Sequence, residues 1–185
     1  MSKELVIAAP AAAVWQVLGP GFARIGEWAT AIPASTALTA TAGPSRKGIG
    51  VVAGLVDAPV AGRACATGLR MVAQVTETLI AYDETNRTLT YEASGMPAFV
   101  TMARNTWTVT PLGGHRCTVT LDARFDTRGV LGALARWLLL VYVGRTSRHL
   151  ADDLRHFVEH GTPSPRKAHQ QARTTRRAGR DTLRP

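Results

Sequence analysis

The chain lacks the short motifs by which many enzymes are recognised. Only two of its 185 residues are cysteines, and Cys65 and Cys117 lie far apart, outside any Cys-x-x-Cys pair or Cys/His metal-ligand spacing. We expect both to be small buried apolar residues rather than disulfide partners. No GxSxG, HExxH or glycine-rich phosphate loop occurs, so the sequence predicts no redox or nucleotide cofactor and no known hydrolytic site.

Long apolar segments are also missing. The N-terminus has no apolar run before a small-residue cleavage site, so no secretion signal is expected and the predicted location is cytoplasmic. The longest apolar block, residues 130–143, is about fourteen residues long and is interrupted by Arg136, whereas a bilayer span needs roughly twenty. We expect this block to be a buried helix and not a membrane span.

Histidine is too sparse and too scattered for a metal site. His115 falls in a predicted turn, and His149, His156 and His160 fall on the last predicted helix. His149 and His156 are seven positions apart, which places them two turns from each other and too far to share an ion. No metal is predicted.

Positive charge is concentrated at the C-terminus. The formal net charge is +9, and six of these charges lie in residues 161–185, which hold seven arginines or lysines and one aspartate. This stretch also has three prolines and little apolar surface to bury, so we predict a disordered basic tail. No aromatic residue interleaves its arginines, so the tail predicts weak contact with anionic surfaces and no specific nucleic-acid site.

The body, residues 1–160, has the pattern of one sheet with helices at both ends. A short strand (5–8) precedes two short helices (10–18 and 20–28) and a second strand (35–42). Further strands are predicted at 63–68, 70–82, 87–93, 98–110 and 115–126, and a long helix at 130–160. Residues 43–62 form a long glycine-rich connection, in which 49–56 could be an additional strand.

Alternation along the last two strands indicates which side is buried. One face of 115–126 carries Cys117, Val119, Leu121, Ala123 and Phe125, and the other face is polar. The matching set on 98–110 is Phe99, Thr101, Ala103, Asn105, Trp107 and Val109. An antiparallel sheet with one buried face has this pattern, and we expect that face to look toward the long helix.

Several segments, in this order, carry a resemblance to a known superfamily. They are residues 7–15 (IAAPAAAVW), Trp28, residues 75–84 (VTETLIAYDE), residues 87–91 (RTLTY), residues 105–111 (NTWTVTP) with the following Gly113-Gly114, and residues 124–126 (RFD). The chain resembles the SRPBCC superfamily, whose fold is the START/Bet v 1-like helix-grip, and within it the polyketide cyclase/dehydrase-like proteins. Residues 43–62 depart from the usual pattern.

The resemblance implies an α+β fold. About seven antiparallel strands would wrap as a curved sheet around the long C-terminal helix, with two short helices between strands 1 and 2, all within residues 1–160. It also implies an internal cavity for a small hydrophobic molecule such as a polyketide, a terpenoid or a lipid. The oligomeric state is not implied.

Two residues are candidates for acid/base chemistry in that cavity. Glu77 shares a strand face with Val75 and Leu79, and apolar neighbours raise the proton affinity of a carboxylate. The alternative is an ion pair with an arginine such as Arg104 or Arg70. Tyr91 should point inward, either as a proton donor or as a core aromatic residue with a satisfied hydroxyl.

Seven residues are candidates for ligand contact. Asn105 could donate a hydrogen bond to a ligand carbonyl, and aromatic side chains would form the walls. The full set is Trp28, Met71, Asn105, Trp107, Phe125, Trp137 and Tyr142.

Two classes of function stay open. The first is an enzyme of secondary metabolism, such as antibiotic biosynthesis, that folds a poly-β-ketone by shape and assists its cyclisation or dehydration with Glu77 and Tyr91. The second is a noncatalytic carrier or sensor, which needs only shape and one polar anchor. A partner-binding module of the chaperone-activator type is a third alternative. The label carried by the nearest-looking relatives favours the first.

Overall fold

The computed structural model describes residues 1–39, 58–69 and 72–181. Seven strands and four α-helices follow one another as β1 (Ser2–Ile7), α1 (Ala11–Leu18), α2 (Ile25–Trp28), β2 (Ser35–Leu38), β3 (Gly62–Leu69), β4 (Val72–Asp83), β5 (Thr88–Ser94), β6 (Val100–Pro111), β7 (Cys117–Thr127), α3 (Gly129–His160) and α4 (Pro165–Asp181). A 3₁₀ turn, Phe22–Arg24, leads into α2. The predicted element order is confirmed for all elements up to α3.

The strands form one antiparallel sheet in the order β1-β7-β6-β5-β4-β3-β2. The curved seven-stranded sheet, the long C-terminal helix and the short helices between β1 and β2 confirm the predicted helix-grip class. The additional strand predicted at 49–56 lies outside the described residues, as do Arg70 and Met71.

The first helix shows how the sequence sets the local structure. Pro10 precedes α1 with φ −59°, a conformation that its ring fixes in advance. The helix then buries Val14, Trp15 and Leu18 against the sheet. Gly19 ends it where a Cβ atom would lie 2.5 Å from the Trp15 ring, so only glycine fits there without a shift.

The core lies on the concave face of the sheet. Cys117, Val119, Leu121 and Ala123 of β7 are all buried, which confirms the predicted inward register, while Phe125 is only half-buried. Trp107 and Val109 of β6 are buried beside them, and both cysteines are buried and unpaired.

The long helix α3 packs mainly through its C-terminal part. Leu154 is fully buried, and Leu150, Phe157 and Val158 pack against the core. The helix ends at Gly161, whose φ of 71° is in the left-handed region that glycine favours. No described helix is both long and apolar enough to cross a membrane.

Three described residues in the first half of α3 are exposed, contrary to the predicted burial. Val130, Trp137 and Val141 are 78%, 68% and 41% exposed. Their spacing places them along one stripe of the helix, and a helix lying on a sheet buries only the side that faces it. Because this segment is apolar on every side, hydrophobic periodicity could not identify the exposed stripe.

The basic tail also differs from the prediction, because residues 165–181 are helical and not disordered. The Ser164 hydroxyl accepts a hydrogen bond from the Lys167 backbone N–H and donates one to Asp153. Pro165 is the first residue of the helix, a position that tolerates proline well. Lys167 is fully buried, so this helix is held by tertiary contacts that composition does not indicate.

Candidate functional site

A buried ion pair lies on the concave face of the sheet. Arg63 of β3 and Glu77 of β4 are directly opposite in the antiparallel register. The Arg63 Nε atom is 2.5 Å from Glu77 Oε2, and the two side chains are 4% and 13% exposed. Glu77 therefore forms an ion pair, which was the alternative to an acid/base role. Its partner is Arg63, whereas Arg104 pairs with Glu92 on the exposed side.

Aromatic rings enclose the guanidinium of Arg63. Its Cζ atom lies 3.9 Å from the Phe22 ring centroid and 5.3 Å from that of Tyr91. Arg63 Nη1 also donates a hydrogen bond of 2.5 Å to the Phe22 carbonyl. The charge is thus held by a carboxylate, a carbonyl and two ring faces, which is the kind of environment that a buried arginine requires.

The ion pair changes the titration of its neighbours. Burial is the larger cause that raises the pKa of Cys65 to about 12, and the negative charge of Glu77 is the second cause. The same two causes raise the pKa of Tyr91 above its usual value. Burial alone would lower the pKa of Arg63, but Glu77, Tyr91 and Cys65 together raise it above its usual value. Both Cys65 and Tyr91 are therefore neutral at physiological pH.

One small cleft lies beside this cluster. The cleft against Arg63 is lined by Phe22, Trp28 and Trp107 and measures about 10 Å³, close to the minimum for a single water molecule. A substrate cannot approach Glu77 or Tyr91 from this cleft in the conformation described.

A larger space, which we call the interface cavity, lies between α3 and the sheet. Its volume is about 330 Å³, at the lower end of the range for small-molecule sites. Apolar residues from β1, β6 and β7 form its floor, and α3 forms its roof. The lining residues are Lys3, Glu4, Leu5, Trp107, Val119, Leu121, Ser147, Arg148, Ala151 and Asp152. A second hollow, of about 690 Å³, lies against β4, β5 and β6 and includes Leu79, Thr101 and Ala103.

Several of the predicted site residues lie together. Glu77 and Tyr91 belong to the ion-pair cluster, Trp28 lines its cleft, and Trp107 separates that cleft from the interface cavity. Asn105 is half-buried and directly opposite Tyr91 in the β5–β6 register.

The remaining predicted ligand contacts are elsewhere. Phe125 is half-buried near the far end of β7, opposite Ala103. Trp137 is 68% exposed and lines neither the cleft nor the interface cavity, because it lies on the outward stripe of α3. Met71 and the Tyr142 side chain lie outside the described residues.

Sequence reasoning missed Arg63, Lys3 and Arg148. Arg63 alternates with Cys65, so the inward face of β3 could have been read from those two residues. Lys3 likewise alternates with Leu5 and Ile7 on β1. Among the described residues, no group of three or more His, Cys, Asp or Glu side chains is placed to hold a metal ion.

Comparisons with solved structures agree with this architecture. Norcoclaurine synthase from Thalictrum flavum, as a point mutant with a transition-state analogue, is 19% identical with a TM-score of 0.62, over 88% of this chain and 95% of that one. A START superfamily protein from Mycobacterium smegmatis is 15% identical with a TM-score of 0.55, over 88% and 98%. A protein from Thermobifida fusca is 27% identical with a TM-score of 0.58, over 86% and 95%.

Sequence comparison supplies the family. No curated protein matches the chain in sequence. The family model described as "Polyketide cyclase / dehydrase and lipid transport" matches residues 1–160, which include all the described strands, α1, α2, α3 and the interface cavity. This fold and this family are those of hydrophobic-ligand-binding proteins, and the chain belongs to the polyketide cyclase/dehydrase and lipid transport family.

Proposed function

We propose that the chain is a noncatalytic carrier or sensor that holds a small hydrophobic molecule in the interface cavity. The observation that carries this proposal is the separation of the two sites. The interface cavity, which is open and mostly apolar, lies against α3, whereas the Glu77–Arg63 pair lies behind Trp107, beside a cleft with room for about one water.

The bonding of these groups supports the same proposal. Glu77 is engaged by the Arg63 guanidinium, and the Cys65 thiol also donates to Glu77 Oε2 at 3.7 Å. Tyr91 is 5% exposed and has a raised pKa, so its proton is held tightly. A general acid or base needs to reach the substrate directly or through one water, and these contacts favour a structural role.

Binding can be tested with 1-decanol as a neutral apolar probe, titrated by calorimetry at concentrations below its solubility limit. We expect saturable binding of one molecule per chain. Ala151 of α3 lines the interface cavity, so Ala151→Phe should fill it and weaken binding at least tenfold. His149→Phe adds the same ring at an exposed position of the same helix and should leave binding unchanged. If wild type and both variants bind decanol equally, the ligand is not in the interface cavity.

An enzyme of the cyclase/dehydratase type is the second candidate, and the position of Trp107 favours it. This residue lines both the cleft and the cavity, so rotation of its indole would connect a bound molecule with Glu77 and Tyr91. The test is incubation with a linear poly-β-ketone thioester, followed by mass spectrometry of the products. Cyclised or dehydrated product that disappears in Glu77→Gln, while decanol binding persists, would establish the enzyme and overturn the noncatalytic proposal.

A further inference from the structure

Two cationic side chains from different elements line the interface cavity. Lys3 lies on the inward face of β1, with Leu5 and Ile7, and its Nζ donates a 2.7 Å hydrogen bond to the Gly144 carbonyl of α3. Arg148, one helical turn further along α3, lines the same cavity. Lysine is rare on the buried side of a strand, so its presence there calls for a reason.

Two acidic residues, Glu4 and Asp152, line the same cavity. Glu4 is exposed and lies on the opposite face of β1 from Lys3. Asp152 faces Arg166 of α4, with 3.6 Å between Oδ2 and Nη2. Among the described residues, no ion pair joins Lys3 or Arg148 to a carboxylate.

The two cations also act on each other. Burial, followed by the positive charge of Arg148, lowers the pKa of Lys3. Two like charges that lack a counterion repel, and an anion placed between them would relieve that repulsion and gain two charge-assisted hydrogen bonds. The arrangement therefore favours an anion beside the two cationic side chains.

Much of the remaining lining is apolar. Leu5, Trp107, Val119 and Leu121 form its walls on the sheet side, and the last three are at most 9% exposed. At roughly 30 Å³ per non-hydrogen atom, the share of one water molecule in the liquid, the volume of 330 Å³ holds about ten such atoms.

We infer that the interface cavity takes an amphiphilic carboxylate, with an apolar body of about ten non-hydrogen atoms inside and the carboxylate held between Lys3 and Arg148. This inference rests on the proposed function and specifies its ligand. A single carboxylate matches one ammonium and one guanidinium, and Arg148 adds directional hydrogen bonds that a second lysine would lack.

The experiment compares ligands that differ only in the head group. Decanoate, 1-decanol, decylamine and decyl phosphate are titrated into the full chain by calorimetry, below their aggregation concentrations. We expect decanoate to bind at least tenfold more tightly than decanol and decylamine to bind most weakly. Decyl phosphate that binds more than tenfold tighter than decanoate would overturn the choice of a carboxylate.

Three variants locate the head group. Lys3→Met and Arg148→Met keep the aliphatic stems, and each should reduce the preference for decanoate over decanol, measured within the same variant, at least threefold. Arg145→Met removes an exposed arginine of the same helix that does not line the cavity, and it should retain the wild-type preference.

The outcomes separate this inference from the proposed function. Equal binding of decanoate and decanol by the wild type overturns the carboxylate site but leaves hydrophobic-ligand binding intact. A decanoate preference that survives both Lys3→Met and Arg148→Met also overturns it. If no member of the series binds, the proposed function itself fails.

Discussion

Arg63 and Glu77 face each other across β3 and β4 with 2.5 Å between Nε and Oε2, and this pair is the only ion pair among the described residues in which both side chains are less than 15% exposed. A buried pair of this kind is costly to break, because the remaining charge stays in a medium of low polarity without its partner. Its effect on folding is therefore open to direct measurement.

Breaking the pair should destabilise the fold strongly. We expect Glu77→Gln to lower the free energy of unfolding by about 3–5 kcal/mol in urea titrations, because Arg63 keeps its charge without a carboxylate. The double variant Arg63→Met/Glu77→Leu should recover much of that loss. Glu92→Gln breaks the exposed pair with Arg104 and should cost less than about 1 kcal/mol. Equal losses at the two positions would contradict the buried character of the first pair.

The raised pKa of Cys65 predicts sensitivity to alkali. Burial and the Glu77 charge raise the pKa of this thiol from its ordinary 9.0 to about 12. The thiol therefore stays protonated in the native state but ionises in the unfolded chain above about pH 9. The stability that this adds is complete below about pH 9 and is lost progressively as the pH rises toward 12. Tyr91 and Cys117, whose pKa values are also raised, act in the same direction.

The measurement is the thermal unfolding midpoint between about pH 7 and pH 10.5. We expect a plateau up to about pH 8.5 and a fall above it, with a shallower fall in Cys65→Ala. The native thiol should also resist alkylation at about pH 9 and react once the protein is unfolded. A Cys65 thiol that reacts as fast in the native as in the unfolded protein would disprove the shift.

Lys167 should anchor α4 to the body. Its Nζ donates to the Ile32 carbonyl at 2.8 Å and to Gln170 Oε1 at 3.1 Å, and the side chain is fully buried. Lys167→Met should cost about 1.5–3 kcal/mol, the usual effect of losing hydrogen bonds to a charged group. It should also speed amide exchange along α4. Arg173→Met, at an exposed position of α4, is the matched control and should change neither quantity.

Trp137 should contribute little to stability or ligand binding, contrary to the expectation from sequence. Its side chain is 68% exposed, so Trp137→Ser should change the free energy of unfolding by no more than about 0.5 kcal/mol. Decanol affinity should stay within twofold of wild type. Trp107→Ser, at a position only 5% exposed, should instead cost several kcal/mol and weaken decanol binding. A tenfold loss of binding in Trp137→Ser would place that residue in the site.

The fold was predictable because its determinants are local and repeated. Alternation in β6 and β7 specifies the buried face of each strand, and the turn at Gly113-Gly114 joins them as neighbours. The partner of Glu77 was harder to predict, because the β3–β4 register depends on a connection that includes Arg70 and Met71 and carries a β-bulge between Ala66 and Leu69.

The predictions from sequence were wrong where the composition of a segment suggests one structure and its tertiary contacts produce another. The tail has the composition of a disordered segment, yet Ser164 caps its helix and Lys167 finds carbonyl partners in the loop before β2. The apolar start of α3 has no polar side from which an exposed stripe could be inferred. The structure of the tail and the exposure of the start of α3 both depend on packing against residues that are distant in the sequence.

The placement of the tryptophans provides an optical readout. Of the four in the chain, Trp15, Trp28 and Trp107 are at most 5% exposed, and Trp137 is mostly in solvent. Iodide should therefore quench the red-shifted emission of Trp137 first and leave the blue emission of the other three. In a Trp137→Phe protein the emission of the solvent-exposed tryptophan is removed. A ligand that binds beside Trp107 should then change the remaining emission, so fluorescence can follow occupancy of the interface cavity.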